Sequence, residues 1–184
     1  MGIDITPKEA LVLFPYPSFR KYQREVIVKI AEAFQSGYDV ILVEAPTGFG
    51  KSAVNTVFCR AVRSFYATPQ LSLIDQIKSD SYIGRFYTVI KGRQNYRCPF
   101  NGMPVNIGKC VTDPGFRCNK LQDCPYWIAK DKASRAKSVL TSFAYLILEG
   151  VAEKVSPIKL GHSCLLYTSP SPRDLSTSRM PSSA

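Results

Sequence analysis

The chain has 184 residues, 45% of them hydrophobic, with 24 Lys and Arg against 14 Asp and Glu, a net charge of +10 and a pI near 9.4. Length and hydrophobic share fit one domain with its own core, and no apolar run approaches the ~20 residues of a membrane span, so a membrane protein is not expected. The surplus of cations favours an anionic partner, nucleic acid before a membrane surface, although a basic protein with no such partner would carry the same charge.

The N-terminus, MGIDITPKEALVLF, has no basic stretch ahead of its short apolar run, so no secretory signal is read. Thr6 falls one place short of the position that myristoylation at Gly2 would need. A cytoplasmic setting is expected, or a nuclear one in a eukaryote. In such a compartment six cysteines point to metal or redox chemistry before disulfides.

In chain order, Pro15 and Pro17 break the backbone and Ser18 can cap a helix. Tyr22, Val26, Ile30, Ala33 and Phe34 recur at helical spacing and predict a helix over 19–36, ended by Gly37. DVILVE (39–44) reads as a short apolar strand of the kind buried in a parallel sheet. A Gly-rich turn follows, then a predicted helix over 51–63, a strand over 65–68, a helix over 70–79 and a strand over 86–90. The alternation predicts an α/β fold with a parallel sheet.

Past Ile90 the periodicity stops. Residues 91–124 are rich in Cys, Gly, Pro, Asn and Arg, far too long for an ordinary loop, and need something other than an apolar core to order them. A helix over 125–137, a strand over 138–141 and a helix over 142–148 restore the pattern. Cys59 falls in an apolar helix and reads as core. From Leu165 the chain is dominated by Ser, Pro and Thr; it reads as a disordered tail of adapter or vector origin, with the native junction between Lys159 and Leu165.

APTGFGKS, comprising Ala45, Pro46, Thr47, Gly48, Phe49, Gly50, Lys51 and Ser52, reads as a phosphate-binding loop, although a glycine-containing turn with an accidental lysine would share its letters. The glycines let backbone N–H groups turn inward, and the helix that follows adds free donors and positive potential. Lys51 is expected at the β/γ-phosphates and the Ser52 hydroxyl at Mg²⁺. The general pattern has Gly where this chain has Ala45. Arg20 and Gln23 lie one helical turn apart, and a Gln amide can read adenine's N6 and N7 edge; a solvated surface pair would look the same.

Cys98, Cys110, Cys118 and Cys124 follow the spacing C-x(11)-C-x(7)-C-x(5)-C. Four thiolates can close on zinc or on an iron–sulfur cluster, and the tight pairs usual for zinc are missing. Spacing leaves both open, with disulfides behind. The sole histidine, His162, is no expected ligand. Lys91, Arg93 and Arg97, interleaved with Asn95 and Tyr96, suit a surface that meets phosphates and stacks on bases, although solvated charges around a metal site would read the same.

The R-x-x-Q helix, the A-x-x-G-x-G-K-S loop and the strand ending in Thr-Pro (YATPQLSLIDQ) resemble the opening of superfamily 2 helicases, in which Ala at the first loop position is usual. KGRQNYRC, the further cysteines and CPYW followed by a basic helix and SVLTSFAYLI resemble the XPD/DinG group over residues 14–150. The resemblance implies an incomplete RecA-like motor domain with an inserted 4Fe–4S subdomain. It divides the chain into 1–90 (ATP-binding), 91–124 (iron–sulfur insert), 125–160 (return to the motor domain) and 165–184 (non-native tail). It further implies a monomer that translocates on single-stranded or forked DNA using ATP and Mg²⁺, in a pathway such as DNA repair. Lys51 and Ser52 are then the catalytic residues, the four cysteines the cluster ligands, and Lys91, Arg93, Tyr96 and Arg97 the DNA contacts. No D-E-x-H occurs in the chain, so ATP turnover is expected to need residues beyond it. The alternative is a non-enzymatic, metal-bound nucleic-acid-binding module with a vestigial loop. A different P-loop enzyme, such as a nucleotide kinase, would not carry the cysteine-rich insert.

Overall fold

The computed structural model describes residues 3–113, 115–152 and 164–167. It opens on a helix absent from the sequence reading, α1 (Pro7–Val12), set by a capping box in which the Thr6 hydroxyl accepts from the Glu9 N–H while the Glu9 carboxylate accepts from the Thr6 N–H. Next come α2 (Gln23–Gln35), α3 (Lys51–Ala61), the strand β1 (Ser64–Thr68) and α4 (Leu71–Ser79). After a short strand β2 (Thr88–Val89), the insert runs through single turns and the four-residue helix α5 (Lys109–Thr112). The chain then returns to α6 (Pro125–Arg135), β3 (Ser138–Ser142), α7 (Phe143–Ala152) and β4 (Cys164–Tyr167).

The strands form one parallel sheet in the order β2-β3-β1-β4. The fold is α/β, consistent with an incomplete RecA-like domain. Its two faces are read off the period-2 alternation of the paired strands. Phe65 and its register partner Val139 face α6, α7 and the insert, in a cluster with Ile90, Tyr126, Ala133 and Tyr145. Tyr66 and its partner Leu140 face α3 and α4, with Cys59, Ile74, Ile77 and Tyr87. A third cluster joins Ile3 and Ile5 to α1, α2 and α3 through Ala10, Ile27, Ile30, Val54 and Val57. Cys59 is fully buried, as expected of a core residue.

Three expectations are corrected. Residues 39–44 form no strand, and Val40, Leu42 and Val43 are 76%, 93% and 44% exposed. A strand exists only where a neighbour takes its backbone groups, and among the described residues none of β1 to β4 pairs with 39–44. Second, Leu165, Leu166 and Tyr167, assigned to a structureless tail, pair in parallel with Phe65, Tyr66 and Ala67. The backbone of Cys164–Tyr167 takes up the remaining β1 edge; the rest of the tail, and His162, lie outside the described residues. Third, the insert is not without a core. Tyr96, Cys98, Val105 and Cys124 pack into the cluster on the Phe65 face.

A small hairpin organises that insert. The Cys98 N–H donates to Met103 O at 2.7 Å, the Val105 N–H to Tyr96 O at 2.9 Å, and Arg97 bridges Pro104. Gly102, with φ of +71°, makes the turn.

Candidate nucleotide and metal sites

α3 leads into β1 through Val62 and Arg63 alone, so the two must run antiparallel. Eleven helical residues and five strand residues each span about 16 Å, which brings the start of α3 level with the end of β1. The loop therefore stands at the carboxyl end of a parallel strand, where α/β sheets hold their ligands. The strand is β1 rather than the expected 39–44.

Gly48 and Gly50 adopt φ of +82° and +87°, conformations that side chains rarely take. The first N–H groups of α3 have no intrahelical acceptor and are available to an anion. Tyr22, with φ of +66°, is a strained residue at the doorstep of α2. The helix consequently begins at Gln23, and Arg20 lies in the turn before it rather than on the predicted helix. That turn sets the two side chains together. The Arg20 N–H donates to Gln23 Oε1 at 2.8 Å, and Gln23 Nε2 donates to Phe49 O at 2.8 Å. Arg20 Nη1 donates to Gly48 O at 2.7 Å. Gln23 is 2% exposed, its amide engaged with the loop backbone rather than held out towards a base.

A cavity of about 490 Å³ opens beside the loop, a size usual for small-molecule sites. Arg20, Gln23, Gly50 and Ser52 line it. Lys51, Ala45 and Phe49 are half-buried, Pro46, Thr47 and Gly48 exposed, and none of these belongs to its lining. The same lining includes Phe14, Tyr16, Tyr66, Asp80 and Tyr82, which the sequence did not single out as site residues. The Phe14 ring stacks on Phe19 at 4.1 Å, and Tyr16 meets Tyr82 at 4.9 Å. Aromatic residues around Pro15 and Pro17, directly ahead of R-x-x-Q, were the available signal.

The Asp80 carboxylate accepts from Tyr16 OH at 2.7 Å and from the N–H groups of Tyr82 and Ile83 at 2.8 and 3.1 Å. Burial works against its charge, yet these donors together hold its carboxyl below the usual carboxylate range. Burial, and then the bond to Asp80 and its charge, pushes Tyr16 up to about 12.

In the insert, Cys98 and Cys124 are buried, Cys118 is half-buried and Cys110 is exposed; all are free thiols. Cys110 and Cys118 line a second cavity of about 500 Å³ with Arg93, Phe116, Arg117 and Tyr126. Cys98 and Cys124 pack with Val105 and Tyr126, which line the same cavity. The Cys110 thiol is pushed up by burial of its sulfur, and then by negative charge on Cys118, Cys98 and Cys124. Among the described residues, no three or more His, Cys, Asp and Glu side chains gather as tightly as one metal ion requires.

The expected DNA contacts divide. Lys91 pairs with Asp75 of α4 at 2.5 Å. The Lys91 N–H donates to Tyr96 OH at 3.1 Å, and the half-buried Tyr96 ring meets Tyr126 edge-on, so Tyr96 is part of the packing rather than a free stacking platform. The Arg93 guanidinium lies 5.3 Å from the Tyr126 ring centre. Arg97 is exposed, as are Lys109, Arg117 and Lys120 of the same insert, which the sequence reading passed over.

Residues 17–96 match the family described as type III restriction enzyme, res subunit. That stretch, less than half of the chain, is thereby similar to the N-terminal domain of helicase-type superfamily 2 proteins, a resemblance that extends to ATP binding and to nucleic acid as partner. No curated protein matches the chain. Among the described residues, no helix is long and apolar enough to cross a membrane.

Proposed function

We propose that this chain is the nucleotide-binding part of an ATP-dependent DNA helicase of the XPD/DinG kind, with a 4Fe–4S cluster in its insert. The observation that carries the reading is the hydrogen-bonded unit of Arg20, Gln23 and the Gly48–Gly50 turn, set at the carboxyl end of β1. A glycine turn that merely joined two elements would need no buried amide to hold its carbonyls. In the nucleotide complex Lys51 meets phosphate charge and Ser52 Oγ is the protein's ligand to Mg²⁺. Arg20 and Gln23 keep the loop in shape, and the aromatic wall of Phe14, Tyr16 and Tyr82 suits the flat face of a base. The carboxylates and the arginine that turnover requires would come from residues outside this stretch.

Four free cysteines, two lining one cavity and two packed against residues that line it, are the donor set such a cluster would use. Such a centre would anchor the insert and fix its exposed Arg97, Lys109, Arg117 and Lys120 as a phosphate-contacting surface. The second reading, a metal-bound nucleic-acid module whose loop no longer binds nucleotide, is favoured by one observation: residues 39–44 do not support the loop as a strand.

Nucleotide titration and anaerobic metal analysis of the same preparation separate these. Bound ADP together with iron and acid-labile sulfide near four of each per chain is the expected result. Metal without nucleotide binding selects the second reading, and zinc without sulfide removes the cluster. A D-E-x-H motif further along the source reading frame would supply the carboxylates that turnover requires.

A further inference from the structure

We infer that Tyr66 is a positioning residue that orients Ser52 towards its metal ion, an inference that rests on the nucleotide reading above. Tyr66 sits in the middle of β1 and is fully buried. Its ring packs against Tyr87 at 5.6 Å, in the cluster with Ile74 and Leu140. From this fixed base its hydroxyl donates to Ser52 Oγ at 3.1 Å.

The backbone of the same serine is held from the same side of the sheet. Thr56 Oγ1 donates its single hydrogen to Ser52 O at 2.7 Å. In its 2.8 Å bond with Tyr87 OH, Thr56 is therefore the acceptor and Tyr87 the donor. One tyrosine thus reaches the side chain of Ser52 directly, and another reaches its carbonyl through Thr56. Both connections join the sheet to the first turns of α3.

A serine hydroxyl has one hydrogen and two lone pairs. Tyr66 occupies one lone pair. The second lone pair remains for a cation and the hydrogen for an acceptor such as a carboxylate, so the bond is compatible with metal binding. Without it Ser52 χ1 is free to sample three staggered wells, of which the metal can use one. No chemical step is assigned to Tyr66; its contribution is to select a rotamer.

The test is a titration of the full 184-residue chain with a fluorescent ADP, mant-ADP, in excess Mg²⁺ and again in EDTA. Mg²⁺ should tighten binding to the unmodified protein. In Tyr66→Phe that enhancement should fall by roughly threefold to tenfold while affinity in EDTA stays unchanged. Ser52→Ala should abolish the enhancement, and Tyr66→Phe added to it should change nothing further. An undiminished Mg²⁺ enhancement in Tyr66→Phe would overturn the inference. So would an equal loss in both conditions, which marks a purely structural role. If the unmodified chain binds no mant-ADP in either condition, it is the nucleotide reading that fails, and the inference goes with it.

Discussion

A Cβ placed on Gly50 would lie 2.5 Å from Nε2 of Gln23, so the amide of α2 and the last glycine of the Gly48–Gly50 turn share one space. The backbone of Gly50 also has φ of +87°. Gly50→Ala meets both penalties and should cost about 2–4 kcal/mol of stability in urea unfolding. It should also weaken nucleotide binding by about tenfold or more, because Gln23 can yield only by releasing Phe49 O. Gly48→Ala is the control: nothing stands within 4 Å, and only the φ of +82° opposes it, at about 1–2 kcal/mol. Equal effects at the two positions would show that Gln23 is not what Gly50 accommodates.

The Lys91–Asp75 pair ties the root of the insert to α4. Asp75 is largely exposed and Lys91 less so, so the bond adds little to stability, but it occupies a cation otherwise available to phosphate. Asp75→Asn should raise affinity for single-stranded DNA by about twofold to fivefold at low salt, with the gain vanishing as salt rises. Fluorescence anisotropy across a salt series checks this. An unchanged affinity would place Lys91 outside the DNA surface.

Asp80 and Tyr16 make opposite contributions to pH dependence. The folded value of Asp80 lies below the ordinary one, so its stabilisation is present above about pH 4 and is lost as pH falls through the folded value. Tyr16 is raised, so its stabilisation is intact below about pH 10 and is lost as pH rises through its folded value of about 12. Asp80→Asn should therefore flatten the fall in the urea midpoint between pH 6 and pH 3. Tyr16→Phe should leave the alkaline limb less steep. A variant with the full acid slope would mean that other carboxylates carry it.

Gly84 tests the turn that leads into β2. A Cβ there would come 2.1 Å from the backbone oxygen of Lys78, whose own Nζ donates to Gly84 O and Tyr87 O at 2.9 and 2.8 Å. Neither side can give way without dismantling this clasp. Gly84→Ala should cost about 3 kcal/mol or more, whereas Gly102→Ala, with open space around it, should cost only the ~1–2 kcal/mol of its positive φ. Thermal melts of the two variants give the comparison.

Local chemistry was the legible part of the fold. α3, β1, α4, α6 and β3 all begin or end within two residues of where periodicity, Gly and Pro put them. The loop glycines were legible because a positive φ belongs to single residues. DVILVE was misread because an apolar run reports a wish for burial, while the neighbour that grants it is decided by residues far along the chain. α1 was missed because six residues hold too little periodicity, although its T-x-x-E capping box was there to be read. Around the loop, the sequence singles out Arg20 and Gln23 but not their hydrogen bonds to its backbone, which depend on a left-handed Tyr22 that no propensity favours. Tyr66 and Asp80 come to the cavity through the crossing of β1 and the turn after α4. Single residue types, unlike a glycine pattern, do not announce such convergence.

Val40, Leu42 and Val43 hold a run of apolar side chains open to water. Two molecules that meet there can bury that oily surface against each other and take it out of water. A preparation should therefore cloud as it is concentrated, and clear when arginine or a mild detergent coats that patch.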